Sequence, residues 1–377
     1  MTHIFVVNET TFNTHLQYLF AGTGFSEYEP DLASRNSAKY EMENTLTGMI
    51  ADISKVRDGD KVLFYVTGCK KFFGVFEIVG LPFFETKSTN YLGTRLGDKY
   101  LPFRVKIKPH KVFAEGISEQ TALDDISTLN KPYEMCWSMI YRKLTGMRGC
   151  SFLTDYEMIK IENLLNAINN SQFLQGNDFY YNATASNISI SPTHYLYNGE
   201  MNCSLSINNR LCLVKGSHEG HVQAYVTQNF DKDPQLILRL LPTTFVKKWI
   251  GNEVICSVGE KRIDILTIVE TTDEIEIRVI ELKDEYPFAS LITYQIPWYI
   301  KWVDQYVAPN LLSCNKPIKL IPTIFAYKHK RNTKNKQAFD AEIINFNNHT
   351  TNMCVNVTVG NLDCIYYDRT QNPIIIY

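Results

Sequence analysis

The segment that decides the fold of the C-terminal half spans residues 259–299 and reads GEKRIDILTIVETTDEIEIRVIELKDEYPFASLITYQIPWY. Apolar and polar residues alternate over 263–268 and again over 275–283, which is typical of strands that bury at least one face. Asp273 and Glu274 lie in the polar break between the two runs. The pattern therefore predicts a β-hairpin, followed by a helix that carries the end of the segment.

Three chemically useful side chains converge in this predicted hairpin. Asp264 lies on the first strand, while Glu281 and Lys283 share one face of the second, because strand residues two apart point to the same side. Two carboxylates in one cleft repel each other unless a cation lies between them, and Mg²⁺ binds one or two carboxylates while keeping water and phosphate ligands. The trio therefore predicts phosphodiester hydrolysis assisted by a divalent cation.

The same residues have a simpler interpretation as solvated surface charges, because a short Asp, Glu-x-Lys pattern arises by chance in many chains. Two observations favour a site. Asp264 and Glu281 lie inside hydrophobic runs, where an unpaired carboxylate is costly. Gln295 and Tyr299 follow one helical turn apart, on one face of the predicted helix.

These motifs resemble the core of the PD-(D/E)xK nuclease superfamily, in particular its RecB-like branch and the NucS-type DNA endonucleases within it. In that branch an upstream helix adds a glutamate, and the matching stretch here is 219–229. The resemblance implies a restriction-endonuclease-like αβββαβ core that acts on DNA. It implies Asp264 and Glu281 as ligands of Mg²⁺ or Mn²⁺, Glu219 as a supporting acid and third ligand, Lys283 as the catalytic lysine, and Gln295 and Tyr299 as residues that contact DNA or brace the site.

Two positions depart from the pattern of that superfamily. Ile263 stands where the family usually has proline before the first aspartate. Pro297 falls inside the Gln-x-x-x-Tyr stretch, and proline disturbs a helix unless it lies in the first turn. Because of Pro297, the sequence alone does not fix the residue at which this helix begins.

Composition limits the choice of function. The chain has 377 residues, 45% of them hydrophobic, which predicts two or three packed domains. Its net charge of −2 means that any surface for nucleic acid must be local. Nine scattered cysteines without a Cys-x-x-Cys pair indicate a reducing cytoplasm and no zinc site. No apolar run is long enough for a membrane span, so we expect a cytoplasmic protein without a membrane partner.

The N-terminal half reads as a compact α+β unit. Strands are predicted at 2–7, 61–66, 72–79 and 102–108, and helices at 12–20, 137–148 and 155–168. The segments FVVN at 5–8, GDKVLFYV at 59–66, FGVFE at 73–77 and LPFRV at 101–105 resemble the EVE and YTH branches of the PUA-like superfamily. The resemblance implies a PUA-like β-barrel with flanking helices.

Domains of that kind hold a modified base, flipped out of the stack, in a pocket lined by aromatic side chains. The positions that match a base pocket are Asn8, Thr10, Phe20, Gly22, Thr23, Tyr65 and Phe73. The tryptophan that many relatives place near 20–23 is absent, so the pocket is expected to differ in shape. The alternative is that these aromatic residues are core, and it weighs more for Phe73 than for Phe20 or Tyr65.

We therefore divide the chain into a PUA-like base-recognition domain at 1–168, a connecting segment at 169–216 and a nuclease domain at 217–377. A dense basic cluster follows an apolar strand predicted at 318–327 and suggests contacts with the DNA backbone. These residues are Lys328, Lys330, Arg331 and Lys334. A solvated turn explains the same cluster equally well.

The sequence as a whole predicts a metal-dependent DNA endonuclease that restricts modified foreign DNA. The N-terminal domain would read a modified base in double-stranded DNA, and the C-terminal domain would cut the phosphodiester bond. Cutting both strands needs two active sites, so a homodimer is expected. The alternatives are a repair nuclease directed by DNA structure, and a reader of modified bases in nucleic acid, RNA included, whose nuclease fold is idle.

Overall fold

The computed structural model describes residues 1–25, 46–86, 91–97, 99–123, 129–139, 149–207, 219–256, 261–328, 333–350, 353–370 and 374–377. The chain packs into two compact units. The first comprises Met1–Leu129 and Ser138–Leu205, and the second comprises Asn130–Trp137 and Ser206–Tyr377. Most of the predicted connecting segment, residues 169–205, therefore packs with the first unit.

The first unit is built on ten strands, with three described α-helices and the helical residues 46–54. The strands are β1 Thr2–Val7, β2 Phe20–Phe25, β3 Lys61–Val66, β4 Lys71–Glu85, β5 Tyr100–Pro109, β6 Ile117–Ser118, β7 Cys150–Leu153, β8 Phe179–Asn182, β9 Asn187–Ile190 and β10 Met201–Asn202. The helices are α1 Glu9–Tyr18, α2 Glu119–Leu123 and α3 Asp155–Ile168. The sequence thus predicted β1, β3, β4 and β5, although β4 extends well past 79, and it missed β2 and β7.

The main sheet of the first unit is open. Its strands follow the order β2-β5-β4-β3-β1-β7, with β6 and β10 also paired to β4. Strands β1 and β3 are parallel, and the other pairs in this order are antiparallel. A closed barrel has no edge strands, whereas β2 and β7 are edges among the described strands. The expected closed barrel is therefore corrected to an open eight-stranded sheet.

Helix α1 fixes the centre of the first unit's core. Asn8 caps it, because its side chain accepts a hydrogen bond from Thr11 N at 2.8 Å. One turn later Phe12 is fully buried, and its ring lies 5.2 Å from Phe64, 5.3 Å from Phe73 and 5.2 Å from Tyr181 between centroids. Since Tyr181 belongs to β8, this packing attaches residues beyond 169 to the first unit.

The second unit contains a seven-stranded mixed sheet. Its strands are β11 Lys247–Ile255, β12 Arg262–Glu270, β13 Ile275–Lys283, β14 Ile318–Tyr327, β15 Thr358–Val359, β16 Asp363–Asp368 and β17 Ile375–Ile376. Its α-helices are α4 Glu219–Asn229, α5 Pro234–Leu240, α6 Ile296–Trp302 and α7 Thr333–Asn348. Strands β11, β12 and β13 are antiparallel neighbours, and β14 joins β13 in parallel. Helix α6 makes the crossover that a parallel pair requires.

The segment before β14 explains the unusual proline. Residues Leu291–Gln295 form a π-helical turn between the helical residues 289–290 and α6, which begins at Ile296. Pro297 is the second residue of α6, so its missing N–H falls where the helix changes from π to α hydrogen bonding. Turns of π-helix inside α-helices are frequent at functional sites.

Several local predictions are wrong. The alternation at 203–207 predicts a strand, but only Met201–Asn202 pairs with β4. The sequence at 354–359 also predicts a strand, and the structure forms one only at Thr358–Val359. The helix predicted at 137–148 begins with a 3₁₀ turn at Trp137–Met139, and it stays a prediction for residues 140–148, which lie outside the described residues. Isolated alternation without a partner strand does not make a strand, because pairing supplies the hydrogen bonds.

His15 allows a test of the first unit's core. The ring is completely buried, stacked on Phe64 and edge-on to Phe20. Burial, reinforced by the positive charge of Arg104, lowers the pKa of His15 from 6.5 to about 3. The unfolded chain therefore binds a proton below pH 6.5 that the folded chain binds only near pH 3. Stability should fall by up to about 1.4 kcal/mol per pH unit as pH decreases from 6.5 towards 3.

Chemical unfolding of the full chain at a series of pH values measures this slope. His15→Leu should flatten it, because the variant has no imidazole to protonate at this position. His194→Leu removes an exposed histidine of the same unit and is the control. An unchanged slope in His15→Leu would contradict the assignment.

Candidate active site

The β12–β13 hairpin brings the two predicted acids to the same end of the sheet. Ile265 pairs with Ile280, so the register places Asp264 opposite Glu281. The backbone N–H of Leu282 donates to Oδ2 of Asp264 at 2.8 Å. Because directly opposed residues of an antiparallel pair lie on one face, the two carboxylates are neighbours, as the sequence predicted.

Glu281 is the most buried acid of the group, with 3% of its surface exposed. Its Oε1 accepts hydrogen bonds from Gln295 Nε2 at 2.8 Å and lies 3.0 Å from Lys283 Nζ. Its Oε2 is buried and has no hydrogen-bond partner among the described residues. A buried carboxylate oxygen without a donor is costly, and at functional sites such an oxygen often awaits a ligand.

Lys283 joins the hairpin to helix α4. Its Nζ lies 3.0 Å from Oε1 of Glu219, the first residue of α4, as well as 3.0 Å from Glu281. The Nζ also donates to the backbone oxygen of Leu282 at 2.8 Å. The structure therefore brings Glu219, Asp264, Glu281 and Lys283 into one cluster, which is what the sequence predicted for them.

The electrostatics of the cluster follow from burial and crowding. Burial, and next the charge of Glu281, raise the pKa of Asp264 well above its ordinary value. Burial also raises the pKa of Glu281, although Lys283 opposes that shift. For Lys283, burial alone would lower the pKa, but attraction by Glu281, Glu219 and Asp264 outweighs it and the pKa rises. The lysine is thus held as a cation among carboxylates that resist ionisation together.

Gln295 and Tyr299 brace this cluster. Gln295 Nε2 donates both to Glu281 and to Tyr299 Oη, the latter at 2.7 Å. The hydroxyl of Tyr299 in turn donates to the backbone oxygen of Arg262, at the start of β12. The π-helical turn, through Gln295, and helix α6, through Tyr299, are therefore tied to the two strands of the hairpin.

Two residues of the site escaped the sequence analysis. Glu253 lies on β11 between the pairs Asn252–Ile265 and Val254–Ile263, which places it beside Asp264. Gln223 donates to Glu253 Oε1 at 2.9 Å and to the backbone oxygen of Asp264 at 3.1 Å. The available signal was the position of Gln223, one helical turn after Glu219.

The backbone at Glu253 explains why its role was hidden. Its φ is 53°, in the left-handed region that non-glycine residues rarely adopt. Arg262 NH1 holds the other carboxylate oxygen at 2.8 Å. Backbone outliers of this kind cluster at functional sites. Here the distortion turns the side chain of Glu253 to the side of the sheet that carries Asp264.

An open pocket of about 630 Å³ lies against this cluster. Of its lining residues, Lys283 belongs to the cluster, and Gln295 and Tyr299 are the two residues that brace it. The others are Lys261, Phe288, Ser290, Leu291 and Tyr294. The pocket provides space for a ligand beside the lysine and the braced glutamate.

The metal site predicted from Glu219, Asp264 and Glu281 stays a prediction. In the described ranges, no group of three or more His, Cys, Asp or Glu side chains is arranged to hold a metal ion. The reason is that Glu219 is half exposed and pairs with Lys283. Asp264 and Glu281 remain side by side, and one Glu281 oxygen has no partner among the described residues. Two carboxylates with room for water fit Mg²⁺, which commonly binds through one or two protein carboxylates.

The residues predicted to line a base pocket are dispersed in the first unit. Phe20, Tyr65 and Phe73 are buried to within 1% and belong to the core, as hydrophobic packing of a strand's inner face demands. Tyr65 also donates its hydroxyl to Glu119. The polar and small positions are no closer to a pocket: Asn8 caps α1, Thr10 is exposed, Gly22 packs against Arg104, and Thr23 is buried against Gly149.

A different group of aromatic and basic side chains clusters in the first unit. Arg104 is buried, and its guanidinium lies 4.7 Å from the ring of Phe20 and within 2.9 Å of Tyr197 Oη. Lys106 Nζ lies 4.3 Å from the centroid of the Tyr197 ring, and burial lowers its pKa to about 8. Tyr197 follows the predicted domain end at 168, so sequence reasoning did not connect it to the sheet.

The basic cluster after β14 is only partly described. Lys328 Nζ lies 3.4 Å from the centre of the Tyr377 ring. Lys330 and Arg331 lie outside the described residues, and Lys334 is in helix α7 rather than in a loop. The DNA-backbone role predicted for these residues stays a prediction.

Comparison with known proteins supports one of the two resemblances. The sequence profile of the EVE domain family matches residues 29–135. The match lies almost entirely in the first unit, supports the PUA-like resemblance of the N-terminal part and covers less than a third of the chain. No curated protein matches the sequence significantly. No helix in the described part of the chain combines the length and the apolar composition that crossing a bilayer requires.

The crowding of acids predicts a stability effect. Because the pKa of Asp264 is raised, its ionised form destabilises the fold at neutral pH. Asp264→Asn keeps an acceptor for Leu282 N–H and removes the charge. It should increase the free energy of unfolding at pH 7.5, without divalent cations, by about 1–2 kcal/mol. Urea unfolding in the presence of EDTA measures this change.

Asp304→Asn is the matched control. Asp304 is also buried, but its carboxylate accepts the backbone N–H groups of Val355 at 3.2 Å and Asn356 at 2.7 Å. Its charge is therefore stabilised, and the same substitution should destabilise the fold. A loss of stability in Asp264→Asn comparable to that in Asp304→Asn would refute the proposed repulsion.

Proposed function

We propose that the protein is a metal-dependent DNA endonuclease whose first unit reads a modified base and whose second unit cuts the strand. The observation that carries the proposal is the cluster of Asp264, Glu281 and Lys283, in which Lys283 also reaches Glu219. Structural ion pairs normally satisfy their buried oxygens. Here one buried oxygen of Glu281 has no partner among the described residues, and an open pocket adjoins the lysine.

The residues of the cluster divide the work of phosphodiester hydrolysis. Asp264 and Glu281 would hold Mg²⁺ or Mn²⁺, which when bound supplies an activated water and charge stabilisation at phosphorus. Lys283, kept protonated by the surrounding acids, donates hydrogen bonds to the scissile phosphate as negative charge develops on it. Gln295 holds Glu281 in position, and Tyr299 holds Gln295.

The first unit supports a reading role. An EVE domain in the chain favours recognition of a modified base or another feature of nucleic acid. Coupled to a nuclease, such recognition is suited to restriction of modified foreign DNA. Cleavage of both strands of a duplex requires two active sites, which a homodimer would provide.

One observation favours a second candidate, a non-catalytic reader of nucleic acid. Within the portion of the chain that the structure covers, no three-ligand metal group is present. Lys283 already compensates the charges of Glu219 and Glu281. A chain that has lost catalysis would keep such an ion pair as a structural element.

Cleavage of supercoiled plasmid DNA with Mg²⁺ distinguishes the enzyme from the reader. Glu281→Ala should reduce the rate at least about 100-fold, because loss of a group that stabilises transition-state charge commonly costs 10²–10³ in rate. Asp273→Ala changes an exposed acid in the turn of the same hairpin and should cut like the wild type. If the wild type and Glu281→Ala nick the plasmid equally, or if neither nicks it, the nuclease proposal is wrong and the non-catalytic reader remains.

Modified substrates test the reading role separately. Plasmids that carry methylated cytosine, hydroxymethylated cytosine, methylated adenine or no modification are compared with mismatched and flapped duplexes. Faster cutting of one modified plasmid, because its base is bound by the first unit, supports restriction. Equal cutting of all plasmids, with faster cutting of mismatched or flapped DNA, supports structure-directed repair.

A further inference from the structure

The pocket beside Lys283 has an unusual rim of exposed aromatic side chains. Phe288, Tyr294 and Trp298 are 57%, 74% and 45% exposed. The described part of the chain has six exposed aromatic side chains, and these three lie within residues 288–298. Burying apolar surface is favourable by roughly 25 cal/mol per Å², so a concentration of exposed rings indicates a surface that meets a ligand.

The rim also carries positive charge. Phe288 and Tyr294 line the pocket together with Lys261 and Lys283. Lys261 Nζ lies 4.8 Å from the centre of the Trp298 ring, one helical turn after Tyr294. Two aromatic rings and two ammonium groups therefore line one opening, together with Gln295 and Tyr299.

We propose that this pocket binds an unpaired nucleotide of the DNA strand, with its base stacked on Tyr294 and Phe288 and its phosphates beside Lys283 and Lys261. Exposed aromatic side chains beside positive charge are the combination that binds single-stranded nucleic acid. A paired base is covered on both faces by its neighbours, so it cannot stack on these rings unless it leaves the helix. The assignment deepens the proposed nuclease, since the pocket adjoins Glu281.

The consequence concerns the substrate class. Stacking on an aromatic ring tolerates any base, because every base has a π-face. The pocket therefore selects DNA that is unpaired beside the scissile phosphate, and it does not select a particular base. Identification of a modified base is left to the first unit.

Binding of a fluorescein-labelled oligothymidylate to the full chain in EDTA tests this assignment, because it needs no cleavage. Fluorescence anisotropy should show that single-stranded DNA binds more tightly than a blunt, fully paired duplex. Tyr294→Ala and Phe288→Ala should each weaken binding about 5-fold or more, since one stacked base contributes about 1–3 kcal/mol. Tyr294→Phe keeps the ring and should bind like the wild type.

Phe245→Ala is the matched control, because Phe245 is 40% exposed and precedes β11, whose first residue pairs with Glu270 at the far end of β12. It should leave affinity unchanged, and circular-dichroism melting of every variant checks folding. A duplex with one bulged nucleotide is a further arm. If the bulged duplex binds, the ligand of the pocket is an extruded nucleotide. If only single strands bind, the ligand is the end of a strand.

Equal affinity for blunt duplex and single strand, or normal binding by Tyr294→Ala, overturns the inference. A preference for oligouridylate RNA over DNA overturns its assignment to DNA. The plasmid assay with Glu281→Ala reports on the nuclease independently. If Tyr294→Ala and Phe288→Ala lose binding while neither the wild type nor any variant cuts DNA, the proposed nuclease is wrong and the proposed pocket is supported. If the wild type cuts DNA while these two variants bind normally, the nuclease is supported and the pocket is wrong.

Discussion

The second unit depends on the repulsion between Asp264 and Glu281 at the end of a buried hairpin. Both carboxylates are pressed together by the strand register, and burial raises the pKa of each. Lys283 is the counter-charge that the chain supplies, and it reaches Glu219 at the same time. Such an arrangement lowers stability, which proteins tolerate mainly where a site requires it.

The surrounding elements serve to hold these charges in place. The π-helical turn before α6 reaches Glu281 through Gln295, and helix α4 reaches Glu253 and the backbone of Asp264 through Gln223. Neutral amides are suited to this task, because they donate hydrogen bonds to carboxylates without adding charge. The acids are thus fixed from two helices, and their geometry does not rely on a loop.

Sequence reasoning succeeded where the signal was local and failed where it depended on distant partners. The hairpin, its acids and the Gln295–Tyr299 pair follow from alternation and helical spacing. Glu253 required knowledge of the β11 register and of a left-handed backbone, neither of which the sequence displays. Phe20, Tyr65 and Phe73 were candidates for a pocket but are core, since an aromatic residue in a strand has the same local pattern in both roles. The EVE match supports the fold of that region without placing a pocket in it.

The π-helical turn at Leu291–Gln295 has a consequence for the evolution of the site. A helix rotates by about 100° per residue, so the extra residue in this turn sets the angular phase of everything that follows. It directs Gln295 and Tyr299 inwards to the acid and leaves Tyr294 and Trp298 outwards. A single-residue deletion here would rotate Gln295 and Tyr299 away from Glu281 by about 100°. The residues that brace the acid and those that line the pocket opening must therefore be inherited together, and insertions or deletions in this segment should be rare.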